Sequence, residues 1–215
     1  MQKMDEVYQC ITEIFQAEAD TFAQRRSQMT TTTFSSCHWS NAWLNFFPYE
    51  SALQQLPAIK IYPTEKASSI RNHYCADQLV FACHNDHESW GCVFVEDEQT
   101  HKKWLKFIEH EAGEMRLQHL KLMYFKEDCC QQVFSYSLDE DEDEESLAVY
   151  DYVYLDNKLQ YIEKNGFYQN KAKILPVQKY ELSMHTDQVH IHTKDHRGMQ
   201  NIIYRGPQQS VDWFE

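Results

Sequence analysis

The residues best suited to chemistry gather near the C-terminus: His185, Asp187, His190, His192, Asp195 and His196. Alternate residues of a strand project to one face, so the imidazoles of His190 and His192 could reach one ion, with His185 or a carboxylate completing a zinc-type set. Val189 and Ile191 fill the opposite face, and that alternation equally describes a sheet whose polar side meets water. A His-x-His pair also arises readily in a chain with 11 histidines. The expectation is therefore no resident metal and no cofactor, with His185, His190 and His192 as the ligands to consider. A metal-dependent enzyme built on these histidines is the alternative.

Other chemistries find less support. His84, Asp86, His87 and Glu88 lie close enough in one connection to chelate, but loop tips are ordinarily polar. His110 is followed four residues later by Glu114 rather than His, so the H-E-x-x-H spacing of zinc proteases is absent. Seven Cys without a C-x-x-C suit buried thiols in a reducing compartment. Adjacent Cys129 and Cys130 are too constrained for an easy disulfide, and no Cys/His pair has motif context that marks a nucleophile. The 5 Gly form neither G-x-G-x-x-G nor G-x-x-x-x-G-K-[ST], so no phosphate-cradling loop is present. No enzyme activity is expected.

Charge points towards binding. The chain carries a net charge of −13, and Asp139, Glu140, Asp141, Glu142, Asp143, Glu144 and Glu145 form an unbroken acidic run. The run lacks the central Gly and the alternation of an EF-hand loop. Lysines and arginines are scattered, adjacent only at Arg25-Arg26 and Lys102-Lys103, so no basic patch offsets the repulsion of nucleic acid or anionic membranes. A basic protein partner is the class such a chain attracts. Tyr150, Tyr152 and Tyr154 alternate along the strand after the run, and with Asp139 to Glu145 they make the expected partner-binding surface. The other reading of the run is a solvated loop beside a structural strand. No apolar stretch approaches the roughly 18–20 residues that cross a bilayer, and the polar, acidic start points to the cytoplasm.

The elements that would position these groups follow from periodicity. Val7, Ile11, Ile14, Phe15, Ala19 and Phe22 make one stripe of an amphipathic helix over 5–28. An aromatic block, Phe34 to Tyr49, predicts core, with Ser40 capping a short helix that stops before Pro48 and a further helical turn after Ser51. Ile59 and Ile61 alternate as a strand. Leu79 to Cys83 and Trp90 to Val95 predict a hairpin at the centre of a sheet, with Phe81, Cys83, Cys92 and Phe94 buried. Glu98 to Phe125 reads as helical, interrupted at Gly113. Beyond the acidic run, Asp156-Asn157-Lys158 and Asn165-Gly166 predict turns. Tyr180 to Met184, Gln188 to Thr193 and Asn201 to Arg205 complete an antiparallel meander.

The hairpin also carries a resemblance. Leu79-Val80-Phe81, Asn85 in the connection, Trp90-Gly91, the acidic Glu96-Asp97-Glu98 and then Trp104 are similar to part of the SUKH superfamily of bacterial proteins, over about residues 56–125. His84, Asp86 and His87 depart from the Glu, Gln and Gly of that pattern, and Leu56-Pro57 has no early Tyr after it. The resemblance implies an α+β fold and a non-enzymatic immunity protein that neutralises a cognate toxin, often a nuclease, by binding it. A structural or scaffold subunit is the remaining alternative.

The expected architecture is thus α+β: N-terminal helices packed on a mixed or antiparallel sheet, with a mostly antiparallel β C-terminal part. Residues 1–137 are expected to form the α+β core domain. Residues 138–215 would be a β-rich extension that could share the same domain.

Overall fold

From residue 70 onward the chain lays down one antiparallel meander. The computed structural model describes residues 2–66, 69–84, 91–110, 113–127, 129–139, 144–168, 173–185, 187–194 and 197–209. The helices are α1 (Gln2–Glu18), α2 (Phe22–Thr31) and a single turn, α3 (Glu50–Leu53). The first strands are β1 (Ser36–Ser40), β2 (Ile61–Tyr62), β3 (Ile70–Cys75), β4 (Gln78–His84) and β5 (Cys92–Asp97). Long strands follow: β6 (His101–Glu109), β7 (Met115–Lys126), β8 (Cys129–Leu138), β9 (Glu145–Leu155) and β10 (Lys158–Tyr168). The meander ends with β11 (Lys173–His185), β12 (Gln188–Lys194) and β13 (Gln200–Gly206). All thirteen belong to one sheet, in the order β13 to β3 and then β1 and β2. Among the described residues no helix is long and apolar enough to cross a membrane.

This corrects the α+β expectation: the architecture is mostly antiparallel β, with three helices against thirteen strands among the described residues. The largest departure is 98–125, expected helical and found as β6 and β7, with Gly113 (φ +81°) in the connection between them. Two features imitate the helical period there. Leu117 and Leu120 belong to the same cluster although three residues apart, because the β6–β7 register shifts between them and leaves one extra residue on β7. Both faces of these strands are also buried, Trp104 and Met123 on one, Leu105, Phe107, Leu120 and Leu122 on the other, which fills in the alternation. Other expected elements also moved. Ser40 ends β1 rather than capping a helix, and the helical turn falls at α3. Asn165-Gly166 lies within β10 at a register shift, whereas Asp156 and Asn157 (φ +50° and +59°) do form the β9–β10 turn.

The sheet is covered on both sides. On one, Ile11, Phe15 and Phe22 of the helices meet Phe81, Phe94, Phe107 and Tyr136. Arg25 fastens this layer by pairing with Glu18 and Glu96, while Lys103 reaches the same two carboxylates at 2.9 and 2.8 Å. Burial alone would raise Glu18 and Glu96, but hydrogen bonds from Lys103 and Arg25 outweigh it and hold both carboxyls below their ordinary value. On the other side the aromatic block packs as predicted, with Leu44, Phe46, Phe47, Tyr49 and Leu53 buried against Trp104, Met123, Val133 and Tyr150. Glu50 anchors that segment. Its carboxylate accepts from Lys121 Nζ (2.5 Å) on β7 and from the Phe46 N–H (2.6 Å), and Lys121 also lies 4.0 Å over the Trp104 ring.

The β4–β5 hairpin pairs Phe81 with Phe94 and Cys83 with Cys92, and all four side chains are buried as expected. It lies towards the β2 edge rather than at the centre, which β7 occupies. Asn85 and Trp90, on which the family resemblance rests, lie outside the described residues. The other parts are ordinary structure: Glu96 is paired with Arg25 and Lys103, and Trp104 is core. The expected boundary at 137/138 falls inside β8, where Ser137 and Leu138 still pair with Ser146 and Glu145 of β9, so the sheet runs through it.

Candidate functional site

The acidic run joins β8 to β9. Leu138 pairs with Glu145, the Asp139 N–H donates to the Glu144 carbonyl at 2.9 Å, and the Glu144 N–H returns a bond to Asp139 Oδ1 at 3.1 Å. Asp139 and Glu144 are exposed; Glu140, Asp141, Glu142 and Asp143 lie outside the described residues. Glu145 is half-buried and accepts from the hydroxyls of Tyr8 on α1 (2.8 Å) and Tyr136 on β8 (2.6 Å). Burial and the Glu145 carboxylate push Tyr8 up to about 12 and raise Tyr136 further, so both hydroxyls stay protonated as donors. Glu145 is thus a structural tether between helix and hairpin.

The tyrosine strand is placed otherwise than expected. Tyr150 and Tyr152 are buried beneath the aromatic block; Phe47 lies 5.0 Å from the Tyr150 ring, and the Tyr152 hydroxyl donates to the Pro48 carbonyl at 2.6 Å. Burial is the first cause raising all three phenols, Tyr154 included. Tyr154 is half-buried. They face the opposite side of the sheet from Tyr8 and Tyr136, so Tyr150 and Tyr152 cannot join the acidic run in one partner surface.

A surface that no single stretch of sequence announces lies beside the acidic connection. Met4 and Val7 of α1, Val149 of β9, Phe167 of β10 and Ile174, Leu175 and Val177 of β11 line a groove of about 500 Å³. Asp5, Asp151, Gln132 and Asn165 supply its polar wall. Ile174 and Val177 are 73% and 66% exposed, unusual for large apolar side chains. Gly166 is required in the wall, since a Cβ there would lie 1.9 Å from the Leu147 carbonyl oxygen. Asn165 Oδ1 is buried with no hydrogen-bond donor among the described residues, an acceptor facing the need for a partner. The Tyr8 ring, edge-on to Phe167 at 5.5 Å, joins the groove to the Glu145 tether. The groove and the base of the acidic run are therefore neighbours.

The C-terminal histidines also converge. His185 on β11 and His190 and His192 on β12 place one ring nitrogen each within 4.8 Å of the others. The rings of His185 and His190 stack at 4.3 Å, and Ser183 Oγ lies 3.1 Å from His185 Nε2 and 2.9 Å from His192 Nε2. Partial burial first, then His185, Arg205 and His192 nearby, hold His190 below the ordinary imidazole value. Asp195 and His196 lie outside the described residues.

The remaining candidates are structural or out of view. His84 ends β4 with Trp43 edge-on at 5.3 Å, while Asp86, His87 and Glu88 lie outside the described residues. Glu114 pairs with Arg116, and His119 is half-buried, with Trp104 edge-on and Ser135 Oγ 2.8 Å from its Nε2. All seven cysteines are free thiols. No protein-family model, no curated protein and no solved structure matches this chain.

Proposed function

We propose that the protein works by binding a basic protein partner, whose apolar anchor seats in the α1/β9–β11 groove while its lysines and arginines meet the surrounding carboxylates. The observation that carries this reading is the adjacency of an exposed apolar groove to the base of the acidic connection, through Tyr8 and Glu145. Binding energy concentrates where apolar side chains fill a pocket, which Ile174, Val177 and Phe167 supply. Asp5 and Asp151 in the wall, with the net charge of −13, add attraction at a distance, which raises association rates by roughly 10–10³-fold.

A toxin of the nuclease type, with a cleft built to hold phosphates, is one basic partner of this description. That narrower role comes from the SUKH resemblance, whose implied α+β fold this chain does not have, so the groove and the charge support binding alone. Capture from host extract at low salt tests the proposal, using the wild type, a variant with Asp139 to Glu144 replaced by Asn and Gln that keeps the Glu145 tether, and Ile174→Asp/Val177→Asp. The expected result is a basic protein held by the wild type, released by salt, and lost from both variants. Equal recovery by all three would overturn it.

A further inference from the structure

We propose that the face of the β11–β12 hairpin bearing His185, His190 and His192 binds a single divalent transition-metal ion, Zn²⁺ being the ion its imidazoles suit. The antiparallel register sets the residues together: Ser183 opposes His190, and His192 opposes Glu181, two residues before Ser183. Residues i and i+2 share a face, so Ser183, His185, His190 and His192 form one patch. Val189 and Ile191 are meanwhile buried in the core, which fixes the orientation of β12 and hence of both its histidines.

The donor set decides the ion. Three imidazoles without a carboxylate suit Zn²⁺, Cu²⁺ or Ni²⁺ and disfavour Ca²⁺ and Mg²⁺, which require oxygen. Zn–N bonds of about 2.0–2.1 Å place tetrahedral ligands roughly 3.4 Å apart, so nitrogens within 4.8 Å need only small rotations to close on an ion. The Ser183 hydroxyl, between two of the nitrogens, can orient them or take a fourth position. Arg205, opposite His190 on β13, disfavours a cation, while Glu181, opposite His192, favours one. All ligands come from one short hairpin, so the site assembles without long-range closure. It shares no residue with the groove and does not depend on the proposed partner.

Zn²⁺ titration of the full chain by calorimetry at pH 7.5 tests this, with His190→Gln/His192→Gln and Ser183→Ala as variants and circular dichroism to confirm an intact sheet. The wild type should bind one Zn²⁺ per chain and gain thermal stability. The double variant should lose binding, Ser183→Ala should weaken it about 10–100-fold, and lowering the pH to 5.5 should weaken it as protons compete for the imidazoles. No stoichiometric binding by the wild type would overturn the proposal. So would equal binding by a folded double variant, which would place the ion on other histidines or cysteines.

Discussion

Replacing Glu50 by Ala should be among the most damaging single changes outside the apolar core. The carboxylate and its partner Lys121 are 4% and 8% exposed, so removing one leaves the other charged in a dry site. Breaking such a buried pair costs about 3–5 kcal/mol. The Phe46 N–H also loses its 2.6 Å acceptor, which places Glu50→Ala at the upper end. For a chain of this size each kcal/mol moves Tm by about 2–4 °C, so a fall of roughly 6–20 °C is expected. Glu50→Gln keeps one acceptor oxygen, for the Phe46 N–H or for Lys121 but not for both, and should cost less than Glu50→Ala without being neutral. Glu50→Leu/Lys121→Met removes both charges and should recover most of the loss. Urea denaturation followed by tryptophan fluorescence and by circular dichroism reads all three. A loss below about 1 kcal/mol in Glu50→Ala, or a double variant as unstable as the single, would refute the claim that this pair clasps the aromatic segment to β7.

Three further outcomes follow from buried or strained positions. His119 is held well below the ordinary imidazole value by burial and then by Lys121 and Lys106, so the unfolded chain takes up a proton that the folded chain refuses. Stability should therefore fall as pH drops below about 6.5, by up to ~1.4 kcal/mol per unit, and His119→Gln should flatten that slope in denaturation at pH 7.5 and 5.5. Glu18 and Glu96, held low by Arg25 and Lys103, contribute stability that is present at neutral pH and lost as pH falls below the ordinary carboxylate range. Arg25→Ala should lower neutral-pH stability and shrink that acid-side loss. Gly166→Ala sets a Cβ 1.9 Å from the Leu147 carbonyl, at a φ of +149°, and should cost at least about 1–3 kcal/mol by thermal melting.

Local signals in the sequence were reliable where structure is local. The N-terminal apolar stripe, the burial of Phe81, Cys83, Cys92 and Phe94, and the three C-terminal strands follow from spacing alone, although the single helix expected over 5–28 is two, α1 and α2, broken at residues 19–21. So does the convergence of His190 and His192, because two residues along a strand return to the same face. The errors have non-local causes. Helical period in 98–125 came from a register shift near Gln118 combined with burial on both faces. Tyr150 and Tyr152 looked like surface anchors because nothing near them in sequence shows that Phe47 and Pro48 cover them. The groove draws on α1, β9, β10 and β11, which only the folded meander brings together. Its one local hint is the unbroken apolar stretch Ile174-Leu175-Pro176-Val177, too short to be read by period.

The central claim is that the groove accepts an apolar anchor flanked by basic residues. Methyl-labelled protein titrated with a lysine-rich peptide carrying one central leucine, followed by NMR at low and high salt, tests it most directly. Shifts should be confined to Val7, Val149, Ile174, Leu175 and Val177, weakened by salt and absent in Ile174→Asp/Val177→Asp. Shifts spread over the acidic surface but missing from these methyl groups would contradict it.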